Sequence, residues 1–206
     1  EAEKWMRERN YFGLMMVNTG EADAMVTGHS RSYPSTIKPV MQLIDKAPGV
    51  SKIATTNMMM TARGPIFLSD TAINPNPSAD DLARIALMTA KTVRMFGMEP
   101  VIAMVSYSNF GSSHNEGPSK ISQAVAYLHE NFPDLIVDGE IQTDFALNSD
   151  MLKSKFPFSK LVNKKVNTLI FPNLDAANIT YKLLKEVNKA ESIGPIILGL
   201  DKPVHV

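Results

Sequence analysis

VIAMVSYSNFGSSHNEGPSK, residues Val101–Lys120, joins two chemistries at a corner. Val101–Val105 is an unbroken apolar run, the pattern of a strand buried on both faces. Small polar residues gather around Gly111, and Gly117 and Pro118 follow. From Ser119 the apolar period changes. Ile121, Ala124, Val125 and Leu128 fall on one side of a helix that runs to Asn131. A buried strand, a turn and an amphipathic helix in succession are the repeating parts of a parallel α/β sheet.

The same alternation extends in both directions. Upstream, Ala79–Phe96 carries Leu82, Ile85, Ala86, Thr89 and Val93 at helical spacing, and Ser78 with Asp81 resembles a capping box. SKIATTNMMMTA and GPIFLSDTA are two strands linked through Arg63–Pro65. Tyr11–Thr19 is helical and ends at Gly20, and Ala22–Gly28 is a short strand. Ser35 or Thr36 is the expected cap of a helix to Lys46. Downstream, LIVDGEIQTD, VNTLIFPN and IGPIILGL are strands, and AANITYKLLKEVNKA is a helix. The fold class is α/β: a three-layer α/β/α sandwich with a mostly parallel sheet. Ligands of such sheets collect at the carboxyl ends of the strands, so the loops after Thr27, Tyr107, Phe171 and Leu198 matter most.

Composition narrows the chemistry. The 21 basic and 21 acidic residues cancel, and no basic stripe argues for nucleic acid. The absence of Cys removes disulfides, thiolate metal sites and cysteine nucleophiles, and fits a cytoplasmic protein. No apolar run approaches the ~18 residues of a membrane span, and the charged start EAEKWMRERN has no signal-peptide core. The absence of an initiating Met suggests a fragment of a longer polypeptide, a processed product being the alternative.

Three segments carry candidate chemistry. In YSNFGSS, backbone N–H groups near Gly111 and the hydroxyls of Ser108, Ser112 and Ser113 suit a phosphate; the alternative is a bland exit from a strand. TGHSRSYPSTIK (Thr27–Lys38) places His29, Arg31 and Lys38 among hydroxyl side chains, where Arg31 suits a two-pronged grip on phosphate; the alternative is a polar surface loop. VDGEIQTD sets Asp138 and Glu140 on one side of an extended segment, with Asp144 nearby, for a metal, a shared proton or plain capping and pairing. His129, late in a helix, and the Met58–Met60 run read as structural. Asn173 stands where a strand hands over to a helix, as a cap, a ligand-facing rim, or both.

Taken together, YFGLMMVNTGEADAMVTG, SYSNFGS, DGEIQTD, LIFPNLDAANITYKLL and IGPIILGLDKPVHV resemble the phosphotransacetylase (phosphate acetyltransferase) family, in order and over essentially the whole chain. The finer wording of YSNFGS, FPNLDAANI and KPVHV resembles the phosphotransacetylase-like C-terminal domain of bacterial hybrid NADP-dependent malic enzymes. The resemblance implies an isocitrate dehydrogenase-like fold of two α/β domains flanking a CoA cleft, with residues 1–48 trailing the first and 49–206 forming most of the second. It implies acetyl-CoA or CoA as ligand, with Gly28, His29, Arg31, Ser35, Thr36, Tyr107, Ser108, Asn109, Phe110, Gly111, Ser112 and Asn173 as contacts. It also implies homodimers, and places NADP and a divalent metal only in a separate malic enzyme domain. Lys38 stands at a family catalytic Arg position. Asn109 and Phe110 replace the Thr and Lys of the S-T-K-G-S loop of catalytic members. The family's Ser-Arg pair falls beyond Val206 and another catalytic Arg upstream of Glu1, so an incomplete transferase site is expected within these residues.

Overall fold

A computed structural model describes residues 2–206. They form two units: the described part of residues 1–53 with Gly194–Val206, and Ala54–Ile193.

The first unit opens with α1 (Ala2–Met6), a helix not anticipated above, and α2 (Arg9–Thr19). Glu8 caps α2, its carboxylate accepting from the N–H groups of Asn10 at 3.1 Å and Tyr11 at 3.3 Å. Only Met25–Val26 of the expected Ala22–Gly28 strand is regular, as β1. The next helix, α3 (Tyr33–Leu43), starts after Ser32, ahead of the expected caps, and stops short of Lys46. Pro34 in its first turn explains the start, because the N–H that proline lacks has no helical partner there. The hydroxyls of Ser35 and Thr36 donate back to the Ser32 carbonyl, at 2.8 and 3.1 Å, instead of capping.

The second unit begins with β2 (Ala54–Thr61) and β3 (Gly64–Ser69). They pair antiparallel, because the short Ala62–Arg63 link leaves no room for a crossover. The capping box is present at the start of α4 (Ala79–Met95): Asp81 N–H donates to the Ser78 hydroxyl at 3.2 Å, and Ser78 N–H to the Asp81 carboxylate at 3.0 Å. Leu82, Ile85, Ala86, Thr89 and Val93 are all buried, and each large apolar side chain among them contributes about 2 kcal/mol. β4 (Val101–Val105) is buried along its length. α5 (Glu116–Asn131) starts before the expected Ser119, since Gly117 and Pro118 occupy its first turn, where backbone N–H groups need no helical acceptor. Then come β5 (Ile136–Ile141), α6 (Thr143–Leu147), α7 (Ser149–Lys155), β6 (Thr168–Ile170) and α8 (Leu174–Val187), and the chain passes back to the first unit within β7 (Glu191–Leu198). β8 (Val204–His205) belongs to the first unit, where it pairs parallel with β1, Met25 opposite Val204.

The main sheet has the order β5-β4-β6-β3-β2-β7. β5, β4, β6 and β3 run parallel. Alternate residues serve opposite layers. Leu68, Ala103 and Leu169 pack with Ala146 of α6, Leu152 of α7 and Ala177 of α8. Phe67 and Met58 face the other way, against Val93 of α4. The α/β three-layer sandwich is thus present, with a mostly parallel sheet in which β2 and β3 pair antiparallel. Met58 and Met59 fill core on opposite faces, as expected, while Met60 is exposed. Because β4 and β6 are adjacent and parallel, Ala103 opposite Leu169, their following loops leave the same end of the sheet.

Candidate functional site

The turn after β4 is built around Glu140. This β5 residue is 1% exposed. Its carboxylate accepts from Gly111 N–H at 2.6 Å, from the Ser108 hydroxyl at 3.0 Å and from the Ser122 hydroxyl of α5. Its carbonyl accepts from Phe110 N–H at 2.8 Å. Burial alone would raise this carboxyl's pKa. Hydrogen bonds from Ser122, from Gly111, from its own backbone N–H and from Ser108 outweigh burial and hold it below the usual carboxylate value. The donors assigned to phosphate on sequence grounds, Gly111 N–H and the Ser108 hydroxyl, are therefore committed to an internal anion. The Ser112 hydroxyl accepts from Asn109 N–H at 2.9 Å and meets Ser108 at 2.9 Å.

The rest of the turn is tied to the end of β5. Asn109 Oδ1 accepts from Gln142 N–H at 2.8 Å, and Gln142 Nε2 donates to the Tyr107 carbonyl at 2.6 Å. Phe110 adopts a positive φ of 45°, unusual for a bulky residue. Its ring packs 5.0 Å from both Phe156 and Phe158. Tyr107 points outward at 61% exposure. Its hydroxyl accepts from Asn115 Nδ2 at 2.8 Å and lies 3.2 Å from the Ser113 hydroxyl. The bonds to Ser113 and Asn115 lower its pKa.

Asn173 lies at the same sheet end, after β6. It caps α8, accepting from Ala176 N–H at 2.9 Å, and is half-buried, so capping leaves part of it accessible. Two residues not singled out from sequence belong to this end. Asp70, 4% exposed, follows β3 and gathers the loop to Asn74. An Asp at a strand end before NPNP is the signal that could have found it. Lys120 of α5 donates to Asn76 Oδ1 at 2.6 Å. Burial lowers its pKa, with Glu116 opposing.

Of the readings open for Asp138 and Glu140, the structural one holds, and the two carboxylates do not share a site. The register of β5 against β4 shifts so that Met104 faces Gly139 and Val105 faces Ile141, which lifts Glu140 out of alternation. Gly139, at φ 148°, allows this approach, since a Cβ would collide with the Met104 carbonyl. Asp138 instead accepts from the Ser159 hydroxyl at 2.7 Å and Lys160 N–H at 2.8 Å. His129 is structural, donating to the Val137 carbonyl at 2.8 Å. Among the described residues no group of three or more His, Cys, Asp or Glu is arranged to hold a metal.

In the first unit, Gly28 sits at φ 104° against the chain end, where a Cβ would lie 3.0 Å from Val206 Cγ1. Arg31 pairs with Glu8 at 2.5 Å, so the α2 cap also anchors the loop. Ser30 accepts from Arg9, and the Thr27 hydroxyl donates to Asn10 Oδ1 at 3.0 Å. His29, Ser35 and Lys38 are exposed and Thr36 is buried. His29, Arg31 and Lys38 thus share one loop and the helix that follows, with Arg31 held by Glu8. Among the described residues no helix is long and apolar enough to cross a membrane.

Comparison with known proteins gives a consistent result. Residues 1–206 match the family model for phosphate acetyl/butaryl transferase. The chain is 41% identical to a phosphate acetyltransferase of Synechocystis sp. over 95% of its own length and 28% of the relative's. It is 40% identical to the NADP-dependent malic enzyme of Escherichia coli over 94% of its length and 26% of that protein. Against the phosphate acetyltransferase of Bacillus subtilis the identity is 37%, over 100% of this chain and 63% of the relative. The crystal structure of a phosphotransacetylase from Streptococcus pyogenes superposes with a TM-score of 0.91 at 38% identity, covering 98% of this chain and 62% of that one. The chain therefore spans less than two thirds of the length of these relatives.

Proposed function

The chain belongs to the phosphate acetyl/butaryl transferase family, and from that premise we propose that it is an acetyl-CoA- or CoA-binding regulatory module of a hybrid NADP-dependent malic enzyme. The parent chain oxidatively decarboxylates malate to pyruvate with NADP and a divalent metal, both held by its malic enzyme domain. The module binds acetyl-CoA and lowers that activity, in a cytoplasmic homodimer or higher homo-oligomer. In the first unit Arg31 and Lys38 are the groups suited to phosphate or to the acyl end. In the second, Tyr107, Asn109 and Asn173 are the accessible contacts.

The observation that carries this reading is the turn after β4. Position 110, a Lys in the S-T-K-G-S loop of catalytic members, is a phenyl ring packed on Phe156 and Phe158. A transferase needs cations for the phosphoryl oxygens, and a packed ring supports recognition over transfer. The 40% identity to the malic enzyme of E. coli supports the same branch.

Malic enzyme kinetics of the full parent chain, with and without acetyl-CoA, test the proposal. The expected result is inhibition by acetyl-CoA that Arg31→Ala weakens. No inhibition, or inhibition untouched by Arg31→Ala, overturns it. A second reading, an active phosphate acetyltransferase, draws equal support from the Synechocystis and B. subtilis relatives. Formation of acetyl-CoA from acetyl phosphate and CoA, slowed by Lys38→Ala, would establish that reading instead.

A further inference from the structure

Glu140 and Gln142 together hold every residue from Tyr107 to Gly111. The Glu140 carboxylate takes the Ser108 hydroxyl and the Gly111 N–H, its backbone carbonyl takes the Phe110 N–H, and Gln142 takes Asn109 and the Tyr107 carbonyl. Within these five residues the backbone supplies little of its own, chiefly the Ser112 N–H to the Asn109 carbonyl at 3.0 Å. The third arm of the Glu140 carboxylate reaches Ser122, so the turn is also locked to α5.

We propose that Glu140 is a positioning residue for ligand binding: as an internal anion its carboxylate takes the Ser108 hydroxyl and the Gly111 N–H and so holds in place the intervening residues, with Tyr107 and Asn109, bonded to Gln142, where they meet the ligand. The proposal rests on the CoA-binding reading above. It also refines the ligand chemistry at this turn. An anionic ligand group brought to Gly111 would face a carboxylate already 2.6 Å from that N–H, and like charges at that range repel strongly. The turn therefore suits the uncharged acyl-pantetheine part of an acyl-CoA, not its phosphates.

The test uses the full parent chain and three variants, Glu140→Gln, Glu140→Asp and Ser122→Ala. Two readouts are followed. One is acetyl-CoA affinity by calorimetry. The other is the titration of the Tyr107 phenol by fluorine NMR of fluorotyrosine-labelled protein, assigned with Tyr107→Phe. Tyr107 reports on the turn because Ser113 and Asn115 hold its pKa down. Glu140→Gln is expected to weaken acetyl-CoA binding about tenfold, the scale of losing a preorganised contact, and to return the Tyr107 titration towards the ordinary tyrosine value. Ser122→Ala should move both in the same direction by less, and Glu140→Asp should restore part of both. If Glu140→Gln and Ser122→Ala lower the unfolding midpoint yet leave affinity and titration at wild-type values, Glu140 only supports the fold and the proposal is wrong. Should the wild type fail to bind acetyl-CoA, the functional reading falls, and an unmoved Tyr107 titration in Glu140→Gln would then overturn the positioning role independently.

Discussion

Replacing Asp70 by Asn keeps the shape of the side chain and changes one oxygen into an amide nitrogen. Asp70 Oδ1 accepts from Thr55 N–H at 3.0 Å, the Thr55 hydroxyl at 2.5 Å, Ala72 N–H at 3.1 Å and Ile73 N–H at 3.3 Å. Oδ2 accepts from Asn74 N–H at 2.8 Å and Asn74 Nδ2 at 2.5 Å. Whichever way the Asn amide turns, at least the two Asn74 donors or the larger Oδ1 set must face another N–H. The cheaper orientation turns an N–H towards the two part-buried Asn74 donors, at roughly 1 kcal/mol each, or about 2 kcal/mol together. Urea unfolding of wild type and Asp70→Asn, followed by hydrogen exchange at Thr55 and Asn74, should show that loss with both amides deprotected. A loss below about 1 kcal/mol with both amides still protected would refute the assignment of Asp70 as the hub of this loop.

Two further outcomes follow from the first unit. Gly28→Ala forces a side chain into φ 104° and against Val206; it should cost about 1–2 kcal/mol, and an unchanged melting curve would contradict it. His205 Nδ1 accepts from Ile197 N–H at 3.2 Å, and burial lowers its pKa. A lowered folded-state pKa means that stability is fully present above the unfolded value, about 6.5, and is lost as pH falls through the folded one. Exchange protection of the Ile197 amide should therefore drop as pH falls below about 6.5, and His205→Asn, which keeps an acceptor but cannot titrate in this range, should flatten that dependence. Equal protection across the range in the wild type would show that the imidazole is not the acceptor.

Local signals were legible where the physics is local. The face of α4 and its capping box can be read from Ser78 onward because both partners lie within one helical turn. The start of α5 was misplaced because Gly117–Pro118 has turn chemistry, yet it also satisfies a first helical turn, where N–H groups are free in any case. The start of α3 failed for a related reason, with Pro34 fixing the entry and Ser35 and Thr36 turning back on Ser32. The pairing of β1 with β8 and the placing of β6 between β4 and β3 depend on partners far apart in sequence. Periodicity holds no record of these.

The candidate site shows the same divide. The sequence leaves Gly111, Ser108 and Ser112 as either donors suited to an anion or a bland exit from a strand, and in the structure these groups are engaged internally. What it could not supply was the acceptor, because Glu140 reaches the turn only through a break in the register between β4 and β5. Read as an even strand, the segment sets Glu140 and Asp138 on one side, which leaves a metal, a shared proton and plain capping or pairing all open. With the break, the two carboxylates part, Asp138 to Ser159 and Lys160, Glu140 to the turn. A donor-rich turn beside a strand that carries a carboxylate is thus ambiguous in a specific way: the anion it was shaped for can be its own. Where that anion is built in, the surface left to a ligand is the outward one, here Tyr107 and Asn109, and what it can select is shape and hydrogen-bonding pattern before charge.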